Sequence, residues 1–325
     1  MTPGEPAPEN PPVLCHGVAW PESEGIPRLA LRAADGAPAD VVLAPGTRLG
    51  FAVLPGTWCL GYTTVASRTE RTSVPCPDRA PAERGHQCGP CFARDDTRHM
   101  HDFHRSGIAP PGLRDYLAQE HWLYVATFAH GASKVGTAAA PGKWRRLAEQ
   151  GAVAARYVAL AADGRTVRVL EDAVTARLGI GQAVRAAAKA AGLAAAPADG
   201  GAPDALNARL AGTVRGFLRD FRRGAAEGEP FTVAEEEWAS PAVSRPLLQA
   251  WREGRTQAYP GRPKPGRLGE GDHGFTVDAV LGQVLLVRLA DSPVPFVADA
   301  ASLKGKLLRP GNQATAAPAV QESLF

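Results

Sequence analysis

Four of the five cysteines have the spacing of metal ligands. Cys88 and Cys91 form a C-x-x-C knuckle in the stretch CGPCF, Cys76 lies twelve residues before it, and Cys59 lies further upstream. A C-x-x-C pair bends the chain so that two thiolates can bind one tetrahedral Zn²⁺, which then needs two more soft ligands. We expect Cys59 and Cys76 to provide them. The metal would then stabilise a segment that is too small to form its own core.

The histidines near this knuckle leave alternatives open. His86 or His99 could be the fourth ligand, and a pair of reduced, buried cysteines without a metal is the simpler alternative. The stretch HMHDFH, with His99, His101 and His104, could hold a metal of its own, although its composition fits a solvated loop better. A closed zinc site has no open position for water, so we expect any catalysis to lie elsewhere in the chain.

The residues after the Cys/His segment alternate between strand and helix. The stretch HWLYVATFAHGASKVGTA, residues 121–138, predicts two short strands joined by a tight turn. Pro141 then begins a short helix, ARYVALAADG predicts a strand, and RTVRVLEDAVTARL has the apolar spacing of a second helix. The predicted order is strand, strand, helix, strand, helix.

This order of elements and several of the residues resemble the GIY-YIG nuclease domain. That pattern has a Tyr in the first strand, a second tripeptide ending in Gly, an Arg on the first helix and a Glu on the second. Tyr124 in LYV matches the first tripeptide, and KVG at 134–136 matches the second. Arg145 or Arg146 matches the helix Arg, with Arg146 preferred because a Leu follows it, and Glu171 matches the Glu.

Over most of its length, the chain resembles more specifically an uncharacterised bacterial family, the domain of unknown function numbered 2797. The likeness rests on CGPCF, on H-x-x-Y at His121 and Tyr124, on KVG and on EQGA. That family brings no assigned activity. The expected chemistry therefore follows from the GIY-YIG likeness.

The GIY-YIG likeness implies metal-dependent hydrolysis of a phosphodiester bond, which needs a positioned water, a divalent metal and a cation on the phosphate. Glu171 would hold Mg²⁺ or Mn²⁺, and Arg146 would clamp the phosphate with its guanidinium fork. Tyr124 or His121 would orient or deprotonate the water. These residues and Lys134 are the expected catalytic set.

Lys134 stands where the GIY-YIG pattern has a Tyr. The change removes a hydroxyl and offers a phosphate-binding cation, while Gly136 lets backbone approach the site. Nucleic-acid contacts would come from Lys134, Gly136, Arg145 and Arg146, with DNA favoured over RNA. The alternative function is a non-catalytic, zinc-containing nucleic-acid-binding module, and a third is a zinc-stabilised adaptor for protein partners.

The chain as a whole is predicted to be an α+β protein with a central GIY-YIG-like β-β-α-β-α domain, a zinc-ribbon-like segment and flanking β units that can pair with each other. Its predicted segments are a disordered N-terminus (1–11), an N-terminal β unit (12–75), the zinc-ribbon-like Cys/His segment (76–120), the GIY-YIG-like domain (121–182), an Ala/Gly/Pro linker (183–205), a basic amphipathic helix (206–226), a C-terminal β unit (227–310) and a disordered tail (311–325).

Bulk composition limits the classes of function. The chain has 325 residues, 45% of them hydrophobic, and a formal net charge of +3, which is compatible with a nucleic-acid partner but does not by itself indicate one. We find no secretory signal and no apolar run long enough to span a membrane. We therefore expect a cytoplasmic protein with reduced cysteines and no membrane partner.

The last five residues resemble the short sliding-clamp-binding peptides of bacterial replication and repair proteins. In QESLF, Gln321 would anchor the peptide by hydrogen bonds, and Leu324 and Phe325 would fill an apolar pocket of the clamp. The likeness implies a tether that raises the local concentration of the protein on DNA.

Overall fold

The computed structural model describes residues 10–197, 202–224 and 230–318. Fifteen strands are present in the described chain: β1 (Val13–Ala19), β2 (Arg28–Arg32), β3 (Val41–Val42), β4 (Arg48–Val53), β5 (Tyr62–Val65), β6 (Arg71–Val74), β7 (His121–Thr127), β8 (Ser133–Ala139), β9 (Ala154–Ala161), β10 (Phe231–Glu237), β11 (Gln257–Ala258), β12 (Gly271–Leu281), β13 (Val284–Arg288), β14 (Phe296–Asp299) and β15 (Leu307–Pro310).

Eight α-helices occur in the same described residues: α1 (Gly89–Arg94), α2 (Phe103–Ser106), α3 (Pro111–Leu117), α4 (Lys143–Gln150), α5 (Gly164–Leu178), α6 (Ala186–Ala194), α7 (Pro203–Gly224) and α8 (Arg245–Arg252). Short 3-10 turns cover Asp96–His99, Ala140–Gly142, Ala242–Ser244 and Ala300–Leu303. The α+β class expected from the sequence is therefore confirmed.

The largest sheet has nine strands in the order β11-β14-β13-β12-β4-β15-β1-β2-β3, and only the β11–β14 pair among them is parallel. Strands from the two ends of the sequence alternate in its middle, where β4 pairs with both β12 and β15. The N-terminal and C-terminal β segments therefore form one sheet.

A second, four-stranded antiparallel sheet has the order β10-β9-β7-β8, and its elements β7, β8, α4, β9 and α5 follow the order expected for residues 121–182. Alternate residues of β7 serve two cores. Leu123 and Val125 pack with α5 and α7, whereas Tyr124 and Ala126 join the core beneath the nine-stranded sheet. This two-residue period places Tyr124 on the opposite face from the main helical core.

Three segment boundaries differ from those expected. Residues 227–310 divide between the two sheets, because β10 pairs with β9. The three acidic residues of β10 also form ion pairs with Lys143, Arg156 and Arg215. The stretch 183–205 contains helix α6, whose Ala190 and Leu193 pack on the large sheet. The basic helix expected at 206–226 is α7, which begins at Pro203.

In the folded protein the Cys/His segment also includes Cys59 and the β5–β6 hairpin, so it spans residues 59–120, and it contains three short helices, α1 to α3. Its own small core consists of Val65, Ala109, Leu113 and Leu117, next to the four cysteines. Helix α2 packs against α5. The segment thus forms one wall of a cleft whose other wall is the four-stranded sheet.

Candidate functional site

A cavity of about 590 Å³ lies between the Cys/His segment and the four-stranded sheet. All seven residues that the sequence singled out for phosphodiester chemistry line it. They come from β7, β8, α4 and α5: His121, Tyr124, Lys134, Gly136, Arg145, Arg146 and Glu171. Folding brings together groups that are up to fifty residues apart in the chain.

Tyr124 and Gly136 face each other across the β7–β8 pair. A Cβ on Gly136 would lie 2.5 Å from the Tyr124 hydroxyl oxygen and 2.6 Å from Cζ, so only glycine leaves room for the ring. The Tyr124 side chain is fully buried, and its hydroxyl lies near the Arg146 guanidinium but makes no hydrogen bond of ordinary geometry among the described residues. Burial raises the pKa of this phenol, although the charge of Arg146 opposes the shift. Tyr124 is therefore a protonated donor at neutral pH.

Lys134 is a buried cation beside Tyr124. Its side chain is 6% exposed, Nζ lies 5.7 Å from the centre of the Tyr124 ring, and Nζ donates to the carbonyl oxygen of Gln182 at 3.4 Å. Burial, and then repulsion from Arg146, lower the Lys134 pKa to about 8. An ammonium group in this position lacks compensating solvent, so an incoming anion would be strongly attracted to it.

Glu171 lies on α5, which begins where the Asp163 side chain accepts a hydrogen bond from the backbone N–H of Thr166 at 2.7 Å. The carboxylate of Glu171 is buried, 3% exposed, and its Oε2 accepts a hydrogen bond from Arg168. Burial raises the Glu171 pKa, with Arg168 opposing the shift. The Arg168–Glu171 pair, which the sequence could equally have placed on an exposed helix face, lies in the cavity wall.

His121 has a defined tautomer. Its Nδ1 lies 2.8 Å from the carbonyl oxygen of Gln119, so Nδ1 carries the hydrogen and donates it. The other ring nitrogen, Nε2, then has a free lone pair. Burial lowers the His121 pKa, which keeps the ring neutral near pH 7. These are the properties of a general base.

The two adjacent arginines of α4 differ in their pairing. Arg145 forms ion pairs with Glu22 and, at 3.4 Å, with Glu149. Arg146 is exposed and forms no ion pair with any carboxylate in the described ranges. Arg146 is therefore the arginine of this pair that is available to a phosphate.

Several lining residues were not assigned to the cavity from the sequence. His104 Nε2 lies 3.0 Å from Asp172 Oδ2, and Arg105 and Gln182 also bind the Asp172 carboxylate. Burial opposes ionisation of Asp172, but the hydrogen bonds from these partners outweigh it and lower its pKa to about 2. The histidine-rich stretch HMHDFH was the available signal, although it had pointed to a metal or a loop.

Arg71 and Tyr116 had no signal in the sequence. Arg71 lies over the ring of Tyr116, 4.9 Å from its centre. Arg168, three residues before Glu171, contacts His101 as well as Glu171. All of them line the cavity. Only the three-dimensional position of the Cys/His segment brings Arg71, His101 and Tyr116 to this place.

The four cysteines form a second site. The Sγ atoms of Cys59, Cys76, Cys88 and Cys91 lie within 4.8 Å of one another, all are buried and free, and the Cys76 and Cys88 sulfurs are 3.9 Å apart. Four thiolates around one zinc are about 3.8 Å apart, given Zn–S bonds of about 2.3 Å in a tetrahedron. The cluster could therefore bind a structural metal such as zinc, and its members are the cysteines expected, without His86 or His99.

Local backbone contacts position these sulfur atoms. The backbone N–H of Gly61 donates to Cys59 Sγ at 3.3 Å, and a Cβ on Gly61 would lie 1.9 Å from the carbonyl oxygen of Val74. Cys88 precedes α1, and Cys91 lies in its first turn. Donation of backbone N–H groups to sulfur stabilises thiolate ligands.

A magnesium site at Glu171 would differ from this closed cluster. Among the described residues, the cysteines form the only group of three or more Cys, His, Asp or Glu whose ligand atoms converge. Glu171 would therefore have at most one other such residue as a fellow ligand, which suits Mg²⁺ because this ion retains waters and binds substrate phosphates. The hydrogen bond from Arg168 occupies Oε2 of the Glu171 carboxylate.

Comparison of the chain with models of protein families, with curated proteins and with solved structures finds no match. No helix in the described ranges is long and apolar enough to cross a membrane. The tail residues Gln321, Leu324 and Phe325 lie outside the described residues, so clamp binding stays a prediction.

Proposed function

We propose that this protein acts on nucleic acid, as a Mg²⁺- or Mn²⁺-dependent endonuclease with a GIY-YIG-like site that hydrolyses phosphodiester bonds. One observation carries the proposal: the residues matched to that pattern, on four separate elements, line one cavity with three cations and a buried carboxylate among them. Buried cations and unpartnered buried polar groups are the exception in structural cores and common where a ligand completes them.

Phosphate binding is assigned to Arg146 and Lys134. Arg146 lacks an ion pair in the described chain, and its planar fork can donate two hydrogen bonds to phosphate oxygens. Lys134 provides a point charge at the bottom of the cavity, next to Tyr124. Both charges favour the extra negative charge that develops as phosphorus becomes five-coordinate.

Proton transfer is assigned to His121 and Tyr124. The neutral His121 ring takes a proton at Nε2 from the attacking water while the water oxygen bonds to phosphorus, and the bond from phosphorus to the leaving oxygen breaks. The protonated Tyr124 hydroxyl, which forms no hydrogen bond of ordinary geometry within the described residues, donates a hydrogen bond to a phosphate oxygen. Gly136 keeps this hydroxyl against the β8 backbone.

Glu171 is assigned to the divalent metal. When bound there, the metal would neutralise charge on the phosphate and the leaving oxygen. Arg168 holds the carboxylate in place and would have to share it. Burial raises the Glu171 pKa, and a bound divalent cation would favour its ionised form.

The second candidate function is a non-catalytic nucleic-acid-binding module. Two observations favour it: Arg168 already occupies one oxygen of Glu171, and Lys134 replaces the second Tyr of the GIY-YIG pattern. In that case, Lys134, Arg145 and Arg146 grip phosphates and no bond is broken. The four-cysteine cluster, with zinc as its proposed metal, has the same structural role in both candidates.

A cleavage assay separates the two functions. The intact protein is incubated with branched, nicked and single-stranded DNA and with RNA, with and without Mg²⁺ or Mn²⁺. We expect metal-dependent cleavage of at least one substrate, and a loss of at least about a thousandfold in Glu171→Gln. Binding by Glu171→Gln should stay within a few-fold of the parent, because no phosphate contact is removed. Binding without cleavage of any substrate would exclude the nuclease and leave the binding module.

A further inference from the structure

The groups assigned to the chemistry lie at the bottom of the cavity. Exposure is 0% for Tyr124, 3% for Glu171, and 6% for both Lys134 and His121. A phosphodiester must therefore enter the cavity to reach them. Surface contact alone would leave it outside.

At the rim of the cavity, two residues of the Cys/His segment, Arg71 and Tyr116, pack against each other. Arg71 is exposed on β6, and its guanidinium lies over the ring of Tyr116 on α3 at 4.9 Å. The ring of Tyr116 also packs against the ring of His121, with the ring centres 6.1 Å apart and the planes at 89°. Arg71, Tyr116 and His121 thus form a continuous path from the rim to the proposed base.

Arg71 forms no ion pair in the described chain, and its contact with the Tyr116 ring does not neutralise it, although its charge acts on the carboxylate of Glu149 in the same cavity. Arg71 and Tyr116 both line the cavity, and a planar cation beside an aromatic ring is a surface on which a base can stack. Nucleobases stack on such guanidinium planes and on aromatic rings regardless of their sequence.

We infer that the cavity takes an unpaired strand of nucleic acid, and that Arg71, supported by Tyr116, is the platform on which the base beside the reacting phosphate stacks. This inference rests on the proposed function and names its substrate class. In a duplex, base pairing holds each phosphodiester at the helix surface and keeps each base in the stack. A paired strand would have to be unpaired locally before its phosphate reached Tyr124 and Lys134.

The first test compares binding of one fluorescein-labelled oligonucleotide, single-stranded or annealed to its complement as a blunt duplex. The intact protein is used at fixed salt without added Mg²⁺ or Mn²⁺, so that no cleavage occurs. We expect the single strand to bind at least about tenfold more tightly. Equal or tighter binding of the duplex would overturn the inference while leaving the proposed function standing.

The second test separates stacking from charge. Arg71→Lys keeps the charge but removes the plane, so we expect about a tenfold loss of single-strand affinity with little change in its salt dependence. Arg71→Gln should lose more, because the charge is removed as well. Tyr116→Phe keeps the supporting ring and should bind like the parent, whereas Tyr116→Leu should resemble Arg71→Lys.

Melting temperatures of these variants report whether each one is folded, and the Tyr116→Phe and Arg71→Lys results carry the inference even if Tyr116→Leu unfolds. An Arg71→Lys variant that binds as the parent does would contradict the stacking role. If the intact protein binds neither probe in a salt-dependent way, the proposed function fails and the inference fails with it.

Discussion

The protein buries polar groups in two regions, and the regions differ in whether these groups have hydrogen-bonding partners. In the nine-stranded sheet, the Tyr259 hydroxyl donates to His273 Nδ1 at 3.0 Å and accepts from Thr315 at 2.7 Å. His273 Nε2 donates to the carbonyl oxygen of Gly269, and Thr315 accepts from the backbone N–H of Gly274. Every hydrogen-bonding group of this network has a partner.

In the cavity beside the four-stranded sheet, several buried polar groups lack such partners. The Tyr124 hydroxyl and His104 Nδ1 are buried without partners in the described residues, and the ammonium group of Lys134 has only a distant carbonyl oxygen. Leaving such groups unpaired costs about 1–3 kcal/mol each. Unpaired buried polar atoms also occur outside the cavity, for example at Trp251 and Gln313, but those in the cavity lie close to the buried cation Lys134. We propose that a ligand completes them there.

The two regions should therefore respond differently to amino-acid substitution. Substitutions in the Tyr259 network should lower stability and spare binding, whereas substitutions in the cavity should alter binding or catalysis. The Cys/His segment combines both kinds of role, because its four cysteines could hold a structural metal and its Arg71, His101 and His104 line the cavity.

The largest effect is expected for Cys88→Ser with Cys91→Ser. Serine provides no thiolate, so bound zinc should fall from about one per chain to almost none, and the cavity wall formed by this segment should unfold. Elemental analysis and protease sensitivity near residues 76–120 measure both outcomes. The matched control is Cys15→Ser, since Cys15 is buried in the large sheet away from the cluster and should leave zinc unchanged. Less than about a tenth of a zinc in the parent protein would contradict the assignment.

Gly136→Ala should impair the cavity next most strongly. The new Cβ would overlap the Tyr124 ring, so we expect a stability loss of about 1–3 kcal/mol and a loss of cleavage of about ten- to a hundredfold. Denaturant unfolding and rate measurements check the two parts. Gly216→Ala is the control: its Cβ would meet open space on α7, and it should be neutral or slightly stabilising. Full activity of Gly136→Ala would show that the position of Tyr124 does not matter.

Tyr259→Phe provides the opposite half of the comparison. Removing the hydroxyl leaves His273 Nδ1 and the Thr315 hydroxyl without their partner, at a cost of about 1–3 kcal/mol in the free energy of unfolding. Nucleic-acid affinity should not change. A large loss of affinity with unchanged stability would reverse the roles given to the two regions.

The smallest effect is the pH dependence of binding. The Lys134 pKa is about 8, so this group loses its charge as pH rises through that value, and an anion binds the protonated form better. We expect affinity to fall by up to about tenfold between about pH 7 and about pH 9. In Lys134→Arg, which stays charged, this part of the fall should disappear. An identical pH profile in that variant would remove Lys134 from the binding site.

Sequence could predict the local features of this fold and part of its site. Three local features depend only on residues close together in the sequence: the two-residue period of β7, the helix cap at Asp163 and the C-x-x-C knuckle. The hairpin, helix α5 and the cysteine set follow from them. Arg71 and Tyr116 reach the cavity only through packing of the Cys/His segment on α5. The position of β10 was equally inaccessible, because its partner strand β9 and the cations that pair with its glutamates lie in other elements of the chain.

The salt dependence of nucleic-acid binding tests the central claim most directly, because both candidate functions require phosphates in the cavity. Affinity of a single-stranded oligonucleotide is measured across a range of salt for the parent, for Arg146→Gln and for Arg252→Gln, which removes an exposed arginine from α8. We predict a steep loss of affinity with salt in the parent and a slope smaller by about 0.7 in Arg146→Gln alone. A flat salt response, or equal effects of the two substitutions, would contradict the assignment of this cavity to nucleic acid.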